Sequence, residues 1–294
     1  QDFLEIFLTS VAVAVAAIPE GLPVGVSVAL AIGMQKILKK KGLVRRLNSV
    51  ETLGSATIIC TDKTGTLTEG QLQVSAILTA NSFLERDGKH FKKLDLESEE
   101  SHVKVLKIGA LISDVVIERI GVADLGKYVF HGDPLEQAVV SAALHAGLDK
   151  GELEKIQPKI HQLPFDPIRK YSASIHQLWD KKVMYVMGAP ENILSLSSAV
   201  DLDGHSDQMD EKWKKILEDK LDDFTKRGLR MVSVAYKFLD DDLSVIDWDA
   251  LAQDMVFIGF VGFSDPLRLD VRESLESAKK AGLRPIIITG DHKN

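Results

Sequence analysis

The residues with the clearest chemical potential lie in Thr57-Ile58-Ile59-Cys60-Thr61-Asp62-Lys63-Thr64-Gly65-Thr66-Leu67-Thr68. Its first part is apolar and β-branched and reads as a short buried strand, which stops at a carboxylate followed by a lysine, a glycine and hydroxyl groups. An aspartate at the carboxyl end of a parallel strand lies at the mouth of the sheet, where open α/β folds bind ligands. There Asp62 can attack phosphorus and form an aspartyl-phosphate. Lys63 and the nearby amides and hydroxyls can offset charge on the transferring oxygens, and Gly65 lets the backbone turn closely around them. By composition alone, such a stretch is more often a polar turn after a core strand.

A second position with chemical content interrupts an apolar run. Phe3 to Ile32 is mostly apolar, and Ile18-Pro19-Glu20-Gly21-Leu22-Pro23 breaks it. A hydrocarbon core of about 30 Å needs about 20 mainly apolar helical residues, so the run is long enough to span a membrane. Lys36 and Lys39 to Lys41 suit a cytoplasmic junction after it. Pro19 and Pro23 lack amide hydrogens and Gly21 loosens the helix between them. The carbonyls ahead of Pro19 then need partners, and cations can supply them. Glu20 adds charge at the break, which is expensive in lipid but intelligible on an ion path. A simple kink, or a buried core helix, satisfies the same pattern.

Further along, Leu163-Pro164-Phe165-Asp166-Pro167-Ile168-Arg169-Lys170-Tyr171-Ser172 joins an aromatic ring to two cations. Phe165 can stack on a base, Lys170 can approach phosphate, and Arg169 can stabilise such a pocket electrostatically. Alone, core packing for the ring and solvated surface for the cations are the commoner roles.

The elements that must position these groups follow from periodicity. Leu72 to Leu78 alternates as a strand leaving the Asp62 segment, Asp87-Gly88 signals a turn, and the highly charged Lys92 to Ser101 reads as a solvated loop or terminus. Val103 to Val116 has the spacing of a packed helix. Asp133 caps a helix whose first turn holds Pro134. Val183 to Met187 predicts a strand, with Gly188-Ala189-Pro190-Glu191 turning into a helix; Met209 to Arg227 predicts an amphipathic helix, and Leu229 to Ala235 a strand. Met255 to Phe260 predicts the strand that returns the chain to the first sheet. Asp265-Pro266-Leu267-Arg268 closes it and starts a helix over Val271 to Ala281. Pro285 to Asp291 is a second apolar strand ending in Thr289, Gly290 and Asp291.

The 294 residues suffice for more than one domain. A net charge of -7 argues against a general nucleic-acid binder without excluding a locally basic site. The single cysteine excludes an intrachain disulfide framework, and Cys60, inside the apolar strand, reads as a buried packing residue. No complete secretion signal is present at the amino end, and the abrupt start inside an apolar helix suggests a fragment.

The stretch Asp62 to Thr68 resembles the phosphorylation signature of P-type cation-transporting ATPases, and Pro19 to Pro23 resembles the ion-binding fourth membrane helix of their calcium-pump branch. Gly42-Leu43-Val44-Arg45-Arg46 and Ser49 to Gly54 are similar to the family's linker. The resemblance implies an α/β fold: a haloacid-dehalogenase-like phosphorylation domain with a large inserted α+β nucleotide-binding domain and an N-terminal transmembrane helix. The implied limits are 1–34 for the broken helix, 35–72 for the linker and first part of the phosphorylation domain, 73–254 for the insertion and 255–294 for the returning part. It also implies a partial chain, lacking the actuator domain, a second acidic Mg²⁺-binding motif and the remaining membrane helices.

Carried onto this sequence, the resemblance makes Asp62 the residue phosphorylated by ATP, with Lys63 and Thr64 beside it. Thr289 and Gly290 would receive the phosphoryl group, with Asp291 a supporting or hinge carboxylate and Mg²⁺ at Asp62 and Thr64. Glu136 would lie near adenosine, with Phe165, Arg169, Lys170, Gly188 and Arg230 completing the nucleotide site. Asp265 and Arg268 would contribute to nucleotide binding or domain coupling. Glu20 and the carbonyls of Val15, Ala16 and Ile18 would hold the cation, Ca²⁺ being the expected one because oxygen donors suit a hard ion. Met187 departs from the pattern, which has a lysine before Gly-Ala-Pro-Glu, and it brings no ammonium to the pocket. The implied activity is ATP-driven export of Ca²⁺ from the cytoplasm across a lipid bilayer, with the phosphorylation and nucleotide domains cytoplasmic. A non-catalytic nucleotide-binding fragment and a haloacid-dehalogenase-like phosphatase are the competing readings.

Overall fold

The computed structural model describes residues 3–17, 21–86, 91, 98, 100–120, 127–239 and 246–288. The chain forms two compact units, Gln1–Lys63 with Leu269–Asn294, and Thr64–Arg268.

The first unit opens with α1 (Phe3–Ala16) and α2 (Gly21–Lys39), and neither helix buries a residue. The segment Phe3–Lys39 contains a stretch apolar enough to cross a membrane by length and composition, with mean hydropathy 1.8. A helix that is apolar all round either lies in a core or faces lipid; among the described residues Val50 approaches Gly33, and no residue of either helix is fully covered. The expected break at Ile18, Pro19 and Glu20 falls outside the described residues. α3 (Asn48–Gly54) leads to β1 (Ile58–Asp62).

Among the described residues, the second unit is built on a nine-stranded sheet. β2 (Gln73–Thr79) and β3 (Phe83–Glu85) form a hairpin, and α4 (Ser101–Ile112) buries ten of its residues. The helix is shorter than the expected span because Val116 opens β4 (Val116–Ile120), which pairs with β5 (Lys127–His131). The turn at Asp87-Gly88 and most of the following charged loop lie outside the described residues. α5 (Pro134–His145) starts as anticipated, with the Asp133 carboxylate accepting from the Leu135 amide at 2.9 Å. α6 (Lys150–Ile156), β6 (Lys159–Asp166), β7 (Tyr171–Leu178) and β8 (Lys181–Gly188) follow as a helix and a meander. Then come α7 (Pro190–Leu196), β9 (Ser197–Asp201), β10 (Ser206–Gln208), α8 (Glu211–Lys226), β11 (Arg230–Leu239), α9 (Trp248–Leu251) and β12 (Met255–Ser264).

Alternation along these strands makes two cores, one on each face of the sheet. On β8, Met184 and Val186 pack with Ile193, Leu217 and Phe224 of α7 and α8, whereas Val183, Tyr185 and Met187 pack on the side of α4 and α5. β12 was expected to return to the first sheet. Instead it runs through the middle of this one, paired with β11 along one edge and with β9 and β2 along the other. The reason is its composition: Phe257, Ile258, Phe260, Val261 and Phe263 are apolar toward both faces, which suits a strand covered twice.

β2 and the end of β12 carry the chain into and out of this unit, and Asp265 ties them together. Its Oδ2 accepts from the Thr68 hydroxyl at 2.6 Å and its Oδ1 from the Gly70 and Gln71 amides at 2.9 and 3.2 Å. α10 (Val271–Lys280) and β13 (Arg284–Ile288) then return to the first unit. β13 pairs parallel with β1, so that Asp62 faces Ile288 and the two strands end together. Cys60, expected in a buried strand, is exposed. Among the described residues this sheet has two strands, and a parallel strand is buried only when layers cover both of its faces.

Candidate functional site

Asp62 ends β1 with its side chain exposed at the carboxyl edge of the sheet. The next residues leave the extended path: Thr64 has φ -77° and ψ 124°, and Gly65 turns with φ 74°, a left-handed conformation that glycine adopts freely. The Gly65 amide donates to the Thr68 hydroxyl at 3.0 Å. One amide and one hydroxyl are thus held together within the turn from Thr64 to Thr68. Thr289, Gly290 and Asp291 lie outside the described residues, as do Ile18 and Glu20, while Val15 and Ala16 end α1. Mg²⁺ accepts a site with one or two carboxylates when phosphate oxygens complete its shell. The exposed carboxylate of Asp62 has donor oxygens of that kind, and no cluster of three acidic, histidine or cysteine ligands occurs among the described residues.

The second candidate is a cleft of about 920 Å³ in the larger unit. Glu136, Phe165, Lys170, Gly188 and Arg230 line it together, from α5, β6, the turn before β7, the end of β8 and the start of β11. Sequence order scatters these residues over nearly a hundred positions, and the meander brings them into one wall. Phe165 is 60% exposed, which corrects its default reading as core packing. The Glu136 carboxylate accepts from the Asp114 amide at 2.8 Å, and partial burial pushes its pKa above the ordinary 4.5. Lys170 sits 3.5 Å from Glu191 on the rim, a solvent-exposed pair of little net energy that leaves the ammonium available to a ligand. Met187 lines the cleft almost fully buried, an apolar contact in place of a charged one.

Gly188 is required by close approach. It lies opposite Tyr171, and a Cβ there would sit 2.7 Å from the Tyr171 Cα and collide with the Lys170 carbonyl. Gln162 lies opposite Ser174, three positions along β7 from Tyr171. At about 3.3 Å per residue the cleft floor therefore spans roughly 10 Å between the Lys170 turn and Gln162.

Arg169 does not line this cleft. Its guanidinium is bidentate to Asp249 of α9 at 2.7 and 2.8 Å and bonded to Asp166 at 2.5 Å. Two carboxylates already take its charge, and the pair with Asp249 holds the β6–β7 turn to α9. Asp265 and Arg268 line no part of the cleft either. Asp265 fastens the crossing of the chain, and the Arg268 Nη1 donates to the Gly65 carbonyl at 3.4 Å. Sequence reasoning missed Lys159, Gln162, Asp114 and Asp249 as neighbours of these groups. Asp114 reaches Glu136 through its backbone and Asp249 reaches Arg169 across 80 positions, so neither leaves a local signature.

Comparison with known proteins bears on both regions. A family described as P-type ATPase, cytoplasmic domain N, matches residues 101–270. The chain is 35% identical over 294 residues to calcium-transporting ATPase 1 of Bacillus cereus, covering all of this chain and 31% of that protein. It is 33% identical over 303 residues to a calcium-transporting ATPase of Bacillus subtilis, covering 99% of this chain and 34% of the relative. Calcium-transporting ATPase 4, endoplasmic reticulum-type, of Arabidopsis thaliana is 32% identical over 335 residues, covering 98% and 31%. The chain thus spans about a third of the length of these curated relatives.

Proposed function

The chain belongs to the P-type ATPases, and from that premise we infer that it is the nucleotide-handling and phosphate-accepting part of an ATP-driven pump for Ca²⁺. The observation that carries this reading is the convergence of Glu136, Phe165, Lys170, Gly188 and Arg230 on one cleft. Base stacking on Phe165 contributes about 1–3 kcal/mol where it has been measured for nucleic-acid bases, while Lys170 and Arg230 meet phosphate charge. The ribose and phosphates then extend away from Glu136 toward the cations.

The γ-phosphoryl passes from ATP to a carboxylate oxygen of Asp62: the Oδ–P bond forms as the bond from phosphorus to the bridging oxygen breaks, and ADP leaves with that electron pair. Lys63 and the amides and hydroxyls of Thr64 to Thr68 hold the equatorial oxygens, joined in this proposal by Thr289 and Gly290, with Asp291 behind them. Mg²⁺, held by Asp62 and Thr64, would neutralise charge on the phosphates. The parallel pairing of β1 and β13, with the acidic residue at the carboxyl end, supports a haloacid-dehalogenase-like phosphorylation domain. Ca²⁺, as cargo, would bind Glu20 and the carbonyls of Val15, Ala16 and Ile18 within the bilayer, and the actuator domain and further membrane helices would belong to the full-length parent.

Asp62→Asn in the full-length parent is expected to abolish the acid-stable, hydroxylamine-labile phosphoenzyme formed from γ-labelled ATP while ATP binding persists. Label retained on the peptide containing position 62 would refute the assignment. Phosphorylation of the reconstituted parent should require Ca²⁺ and not Mn²⁺, Na⁺ or H⁺; indifference to Ca²⁺ would remove it as cargo.

A further inference from the structure

Lys159 opens β6 and Gln162 follows three positions later, a spacing that sets side chains on opposite faces of a regular strand. The pairing with β7 is irregular there: Lys159 faces His176 and His161 faces Ile175, so Ile160 is an extra residue. A bulge of this kind re-aims the strand, and it returns Lys159 and Gln162 to one side. The Lys159 ammonium accordingly lies 3.2 Å from Gln162 Oε1. It also reaches the Ile112 and Ser113 carbonyls at the end of α4, at 3.4 and 3.5 Å.

An ammonium can only donate, so the Gln162 amide must turn its oxygen to Lys159. Its NH₂ is left on the other side, no acceptor among the described residues takes it, and Gln162 lines the cleft. Glu136 is held in the complementary sense. One oxygen accepts from the Asp114 amide, the peptide next to Ser113, and the other remains as an acceptor. Residues 112–114 therefore anchor an amide donor and a carboxylate acceptor at the same end of the cleft, away from Lys170.

We propose that Gln162, oriented by Lys159, is a specificity-determining residue that reads the purine base of the bound nucleotide and, with Glu136, selects adenine over guanine. The proposal rests on the nucleotide reading of the cleft. Adenine presents an amino donor at C6 beside a ring-nitrogen acceptor, which matches a carboxylate beside an amide NH₂. Guanine in the same position sets its O6 against the carboxylate, a juxtaposition of two acceptors that rejects it.

Titration calorimetry of the 294-residue chain with Mg-ATP and Mg-GTP tests this. The chain is expected to bind ATP at least about tenfold more tightly than GTP. Gln162→Glu pairs with Lys159 and offers the cleft only acceptors, so ATP affinity falls about tenfold and the ATP/GTP ratio approaches one. Gln162→Leu removes the donor alone and lowers the ratio about fivefold. Gln162 is only partly buried, and thermal unfolding of both variants should match the parent. An unchanged ratio in both variants, with ATP still bound, overturns base reading while sparing the cleft. ATP binding that is absent from the parent chain, or insensitive to Phe165→Ala and Arg230→Ala, overturns the cleft reading and this proposal with it.

Discussion

The carboxylate of Glu136 has to be ionised to accept from an amino group, yet burial opposes its ionisation. As pH falls, Glu136 takes up a proton sooner than an exposed glutamate, so ATP affinity should start to decline above the ordinary value of 4.5. Glu136→Gln should abolish that dependence, as read by calorimetry across the acid range; a Glu136→Gln profile identical to the parent's would place the titrating group elsewhere. Gly188 makes a second residue-scale case. Valine there would push against Tyr171 and the Lys170 carbonyl, and Lys170 already occupies a left-handed backbone with φ 57°. Gly188→Val is expected to cost about tenfold or more in ATP affinity through displacement of that turn. Unaltered binding would show that the turn does not contribute.

Among the elements, β7 carries a buried switch of stability. The His176 Nδ1–H donates to the Gln157 carbonyl at 2.9 Å, leaving Nε2 to accept from the Ser174 hydroxyl at 2.8 Å. Burial, reinforced by Lys159 and Lys150, lowers the His176 pKa to about 4. A depressed histidine stabilises the fold above its unfolded value of 6.5, and that contribution is lost as pH falls toward 4, up to about 3 kcal/mol. Urea unfolding of the parent between pH 7 and pH 4 should show this loss, and His176→Asn should flatten it; equal slopes would mean that the carboxylates alone account for it. The β6–β7 turn makes the corresponding case for geometry. The Arg169–Asp249 bond joins it to α9, so Asp249→Asn is expected to weaken ATP binding several-fold through Phe165 and Lys170, neither of which it touches.

At the scale of the whole chain, the sheet of the larger unit forms one cooperative body, since β12 contacts three neighbours and both cores. Phe260→Ala, at its centre, is expected to lower unfolding stability by about 3–5 kcal/mol. In the full-length parent, Glu20→Gln should raise the Ca²⁺ concentration needed for phosphorylation while leaving ATP affinity near the parent value, because the sites proposed for the two ligands lie on different segments. A parallel loss of both would point to a folding defect instead.

The sequence by itself determined the residues whose chemistry is local. Asp62 at a strand end, the Gly65 turn, the Asp133 cap with Pro134 and the apolar run from Phe3 all follow from the type and order of adjoining side chains, because backbone propensity and hydropathy act over a few positions. Only the tertiary structure decided which distant residues share a surface. It moved β12 from the expected first sheet to the centre of the second and exposed Cys60. It also turned Arg169 onto Asp249 and, through one extra residue in β6, aimed Gln162 into the cleft. Strand register and bulges are settled by packing against partners far away in the chain, and that information is not carried by any single stretch.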